Sequence, residues 1–149
     1  MRQITYTMQF KGQAGPVEGA SGVLKATTTA SSCSITSTIG DEGVRSTLQP
    51  AEGGKAAFES TVTFTGETSF QESGTITFGE GNHRFHFTTV GEGHIDASAD
   101  PKLKHGSVMW KIERGEGQFD GATGLITSNF FVSETGDVTD NHFGVIFLK

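Results

Sequence analysis

From Gln3 to Phe10 the chain alternates with a period of two, setting Ile4, Tyr6, Met8 and Phe10 on one side and Gln3, Thr5, Thr7 and Gln9 on the other. An extended backbone sends successive side chains to opposite faces, so this pattern is a strand with one face buried. The same period recurs at residues 23–30, 34–39, 57–64, 68–70, 75–78, 83–90, 107–113, 125–132 and 138–148, with Thr and the β-branched residues supplying strand propensity. No window of a dozen residues spaces its apolar side chains at i, i+3, i+4 and i+7. A chain built this way folds as strands.

The punctuation is glycine. Gly makes up 21 of the 149 residues, about twice its usual share of ~7%, and the tripeptide Gly-Glu-Gly recurs at 79–81, 91–93 and 115–117. Gly takes the positive φ that tight hairpin turns require, so these repeats read as hairpin ends. Strands separated by such turns at short intervals form an antiparallel up-and-down sheet, and closing it removes the exposed edges of an open one. The expected fold is therefore all-β: a single antiparallel up-and-down β-barrel of about eight strands spanning residues 1–149. Residues 40–55 and 94–106 do not read as strands, and each is expected to be a long loop or short helix over a barrel end.

The apolar residues lie in short runs, which excludes a transmembrane helix. The formal charge of −6 without a basic stripe argues against nucleic acid or an anionic membrane as partner. The N-terminal alternation lacks the unbroken apolar stretch of an export signal, and the lone Cys33 cannot form an internal disulfide, so a cytoplasmic location is expected. Cys33 itself reads as a small buried or half-buried thiol.

The last two strands depart from the pattern. Leu125 and Phe131 share one face, Ile126, Phe130 and Val132 the other; then Phe143, Val145 and Phe147 oppose Ile146 and Leu148. A barrel strand buries one face, so the second needs another cover, and a homo-oligomer through the C-terminal strands is expected.

Residues 115–124, Gly-Glu-Gly-Gln-Phe-Asp-Gly-Ala-Thr-Gly, suggest a dinucleotide loop until the context is considered. A phosphate fingerprint opens a helix, whereas the following Leu125 to Val132 is strand-like. The segment reads instead as a glycine turn in which Phe119 plugs one barrel end. His94, Asp96, Asp100 and His105 could each ligate a metal, but their spacing fits no metal motif, and they read as a solvated or lid-like loop. There is no His-Glu-x-x-His, P-loop, nucleophile elbow or paired Cys-x-x-Cys, and no metal or nucleotide cofactor is expected.

The pattern strand, Gly-x-Gly-x-Phe-x-Gly-Ala-x-Gly, strand, turn, terminal strand over residues 107–149 resembles the C-terminal half of the allene oxide cyclase and dirigent-type barrels. It is similar also to small bacterial barrels of the same calycin-like shape. The resemblance implies an eight-stranded barrel that guides cyclisation or coupling of a bound apolar molecule, often as a trimer, without metal or nucleotide. It rests on glycines and one Phe, and no catalytic residue of those families aligns here.

An eight-stranded barrel is just wide enough to fill its lumen or to hold one small molecule. The residues expected to line a ligand cavity are Tyr6, Phe58, Phe85, Phe87, Trp110 and Phe130. Three functional readings follow. The leading one is a barrel binding a small apolar molecule. The second is a cofactor-independent cyclase or isomerase in which one of His86, Glu113 or Glu59, if turned inward, transfers a proton. The third is a structural or interaction barrel with a filled core. Lumen volume separates the third from the others, and two titratable groups in contact inside it would favour the enzyme over the binder.

Overall fold

The computed structural model describes all 149 residues, and every long element is a strand: β1 (Arg2–Pro16), β2 (Val23–Gly40), β3 (Gly43–Phe64), β4 (Ser69–Phe78), β5 (His83–Thr89), β6 (Gly93–Ala97), β7 (Leu103–Glu116), β8 (Thr123–Ser133) and β9 (Asp137–Leu148). All pairings are antiparallel. β1 pairs with β2 and β9, β9 with β8, and β8 with β7; β3 pairs with both β2 and β4, which completes a ring of hydrogen-bonded strands.

β5 and β6 occupy one position in that ring. Both lie between β4 and β7, with Ser73 opposite Thr88 and Ser69 opposite His94, so the chain runs on in one direction through a break at Val90–Glu92. The ring is thus eight strands wide. The second Gly-Glu-Gly, expected to turn a hairpin, instead interrupts a strand, with Gly91 at φ 71°. The first does turn a hairpin, between β4 and β5.

The period of two sorts the side chains. Phe10, Ala26, Phe58, Phe70, Ile76, Phe85, Phe87, Val108, Trp110, Ile126 and Ile146 point inward and are buried. At one end of the lumen the aromatics pack tightly. Phe87 stacks on Phe58 at 5.4 Å and meets Trp110 at 4.5 Å. The short 3-10 turn Gly117–Phe119 brings the Phe119 ring against Phe78 and Phe85 at 5.3 and 5.2 Å, stoppering that end as the glycine turn implied. Gly144 lies beneath the Tyr6 ring, where any side chain would collide with it.

Two expectations need correction. Residues 40–55 hold neither a long loop nor a helix: β2 and β3 run on past the barrel as a two-stranded arm, with Cys33 opposite Pro50, Ile35 opposite Leu48 and Ile39 opposite Val44. Ser34 to Ile39 pairs with Val44 to Gln49 across the Asp41-Glu42 turn, although neither segment belongs to the barrel. The arm begins where Ser31 faces Lys55, after which residues 51–54 of β3, including Gly53 at φ 146°, oppose the single Ser32 of β2. Cys33, at its base, is half-buried. Residues 94–106 likewise contain β6 and the start of β7, separated only by a turn at Ser98–Lys102.

Candidate functional site

The half of the lumen away from Phe119 is open, forming a cavity of about 460 Å³. Its walls are mainly apolar, from Leu24, Ala26, Val62, Phe64, Phe70 and Phe130. Ser98 to Lys104 and Ser133–Glu134 surround its mouth. Phe58, Thr28, Glu72, Ser128 and Asp140, all buried, form its inner end.

Two carboxylates thus meet an apolar chamber. Ser60 Oγ donates to Glu72 Oε1 at 2.6 Å, and Thr89 exchanges hydrogen bonds with the Glu72 backbone at 2.7 and 2.8 Å. Asp140 accepts from Ser128 Oγ at 2.6 Å and faces His142 Nε2 at 2.8 Å. His142 lies behind Asp140, stacked on Phe10 at 4.3 Å, with the Phe58 and Trp110 rings set across it at 5.5 and 5.1 Å. In a neutral imidazole the contact with Asp140 puts the proton on Nε2 and leaves Nδ1 an acceptor.

Burial pushes the Glu72 carboxyl up to about 8; the Ser60 hydrogen bond opposes this and the negative charge of Asp140 adds to it. Burial and Asp140 also raise the Tyr6 phenol. At neutral pH Glu72 therefore holds its proton and can donate a hydrogen bond. Thr28 Oγ1, on the cavity wall, has no hydrogen-bond partner in the protein, nor do Tyr6 Oη, Trp110 Nε1 and His142 Nδ1. The Trp110 indole lies close enough to favour the charged form of Glu72 without completing a hydrogen bond to it.

Of the aromatic residues singled out from sequence, Phe58 and Phe130 line the cavity. Tyr6, Phe85, Phe87 and Trp110 also point inward, but into the packed part of the lumen. The three proton-transfer candidates lie outside the barrel, correcting the inward placement their role requires. His86 contacts Thr75 Oγ1 at 3.0 Å and lies 4.0 Å from Glu116; burial and Arg114 hold its pKa below the usual histidine value. Glu113 accepts from Thr88 at 2.6 Å and pairs with Lys111 at 3.1 Å. Glu59 is exposed beside the buried Phe58 and Ser60. In each strand the apolar neighbours take the lumen, and the period of two turns the charged residue outward. The 94–105 residues take separate roles: Asp96 and Asp100 accept from the backbone of Ala97 and Lys102, and His105 stacks on Phe131 at 4.9 Å.

Glu72, Asp140 and His142 were legible in principle. Extending the alternation of Phe70 through to Ile76 puts Glu72 inside, but Gln-Glu-Ser-Gly at 71–74 has no apolar side chain to mark a buried face. Asp140 and His142 share parity with Ile146 and Leu148.

No protein-family model matches the chain, and no curated protein sequence does either. Among solved structures it is similar to a pterocarpan synthase dirigent protein, with a TM-score of 0.56 and 12% identity, over 100% of this chain and 87% of that one. The fold is the dirigent-type β-barrel.

Proposed function

We propose that the lumen of this dirigent-type barrel binds one small, largely apolar molecule whose hydrogen-bonding end reaches Glu72 and Asp140. The observation that carries this reading is the cavity itself. Its volume of about 460 Å³ lies within the ~300–1,000 Å³ of small-molecule sites, and a few convergent polar groups in an apolar chamber are the usual composition of such sites. A filled-core barrel would leave no such space. The unpartnered Thr28 hydroxyl adds a third polar contact.

Native mass spectrometry of freshly purified protein tests the reading, together with titration of a fluorescent apolar probe. A co-purified molecule or saturable probe binding is expected. Both should disappear in Ala26→Trp, which sets an indole into the cavity. Probe binding that is absent, or unchanged in that variant, would overturn the reading.

A cofactor-independent cyclase or isomerase is the second reading, favoured by the 2.8 Å contact between Asp140 and His142 inside the barrel. On this reading Glu72, protonated at neutral pH, gives its proton to a ligand oxygen, and Asp140, oriented by Ser128 and His142, accepts one from the ligand. The chamber holds a flexible molecule in one conformer while this occurs. A pterocarpan synthase shares the fold. Glu72→Gln and Asp140→Asn should then keep ligand binding and abolish turnover of the co-purified molecule; unchanged turnover in both would exclude the reading.

A further inference from the structure

We infer that the molecule held in this lumen is an amphiphilic primary amine, its ammonium group bound among Glu72, Asp140 and Thr28 and its apolar part lying along the phenylalanine wall. The inference rests on the lumen being a ligand site, as proposed above. The inner end of the cavity is rich in acceptors. Asp140 takes Ser128 Oγ on one oxygen and meets His142 Nε2 on the other, and each oxygen keeps a second lone pair. Ser60 occupies only Oε1 of Glu72, and no hydrogen bond within the protein reaches Oε2. Thr28, only 2% exposed, turns an unpartnered hydroxyl onto the same chamber. It flanks β1 together with Asp140, Thr28 standing opposite Gly12 and Asp140 opposite Phe10. An ammonium has three N–H donors and no acceptor, the complement of these three groups; a hydroxyl has one donor to offer them.

Charge points the same way. No lysine or arginine is buried in the barrel, so the two carboxyls have no fixed countercharge beyond the His142 imidazole. An anionic head group would meet the negative charge of Asp140, and the formal charge of −6 on the chain draws cations toward it. Phe58, Phe64, Phe70 and Phe130 line the chamber, and the face of an aromatic ring attracts an ammonium electrostatically. Lys102 and Lys104 stand at the mouth beside Glu134, all three exposed to water and at the far end from the carboxyls.

Binding of this kind is coupled to a proton. Without a cation beside it Glu72 keeps its proton up to about pH 8, chiefly because it is buried, with Asp140 adding to the effect. A neighbouring ammonium favours the carboxylate, so Glu72 ionises on binding and its proton leaves to solvent. Ser60 of β3, Thr89 of β5 and Trp110 of β7, which surround Glu72, do not titrate in this range. The titratable groups it shares the lumen with are Asp140 and His142 of β9, with Tyr6 of β1 near Asp140. Affinity for the amine should therefore rise with pH by up to roughly tenfold per unit, levelling off near pH 8, above which the free carboxyl is itself ionised.

Isothermal titration calorimetry of the full chain with octylamine, octanol and octanoate, which share one tail, tests this, with the fluorescent apolar probe as reference. Near pH 8 octylamine is expected to displace the probe and to bind roughly tenfold more tightly than octanol, with octanoate weakest. At lower pH its binding heat in buffers of different ionisation enthalpy should report about one proton released per amine bound. Glu72→Gln should release no proton and lose the pH dependence, with retained circular dichroism verifying its fold. Octanol binding as tightly as octylamine, an amine that fails to displace the probe, or amine binding without proton release would overturn the inference while the ligand site stands. A lumen that takes up neither amine nor apolar probe would overturn the ligand site itself.

Discussion

Replacing Glu72 with Gln should stabilise the protein, and by more as the pH rises. Its carboxyl titrates near 8 in the folded chain against an ordinary value of 4.5. Between those values the folded state holds a proton that the unfolded state has released. Stability therefore falls with rising pH across that window, by about 1.4 kcal/mol per pH unit, until the loss is complete above about pH 8. The accumulated cost is on the order of 4–5 kcal/mol, from a displacement of about 3.5 units. Gln has nearly the same shape, carries no charge and still accepts a hydrogen bond from Ser60. Urea unfolding of both proteins from about pH 4 to about pH 9 gives the decisive quantity, the difference between them, which subtracts much of what the other titrating groups contribute. The two should be nearly equally stable at the acid end and diverge to several kcal/mol in favour of Gln at the alkaline end, equivalent to roughly 10 °C in Tm. A difference independent of pH would refute the reasoning, because it would mean that Glu72 ionises as freely inside the barrel as outside it.

Further substitutions probe the packed half of the lumen. Trp110→Ala removes the ring that joins Phe87, Phe58 and His142, and should cost about 3–5 kcal/mol in denaturant unfolding. Gly144→Ala drives a methyl group into the Tyr6 ring; a loss of about 1–3 kcal/mol is expected, and a smaller one would show that the ring swings away. Phe119→Ala should open the stoppered end, lowering Tm by several degrees and speeding amide exchange in residues 115–122, with unchanged exchange counting against the plug.

Much of the barrel was legible because strands obey a local rule. Ile4, Tyr6, Met8 and Phe10 declare their face in eight residues, and Phe85 and Phe87 theirs in five, without reference to any partner strand. The plug was readable for a similar reason: a glycine turn between two strands leaves Phe119 nowhere to go but inward. The arm was not. Val44 to Gln49 alternates as weakly as any loop, and its pairing with Ser34 to Ile39 shows only in the register of the two segments.

What the sequence by itself determined is the class of fold and the facing of most side chains, since both follow from a period of two and the hydrophobic effect acting along a single strand. Only the tertiary structure decided which inward residues share a level of the barrel. That choice depends on the stagger between strands, which no one strand records. It assembles Phe58, Phe87, Trp110 and Phe119 into a packed half and leaves the other half open. It also brings Glu72 of β4 beside Asp140 of β9, sixty-eight positions further along the chain, so that the carboxylates available for chemistry lie inside while Glu59 and Glu113 remain in water.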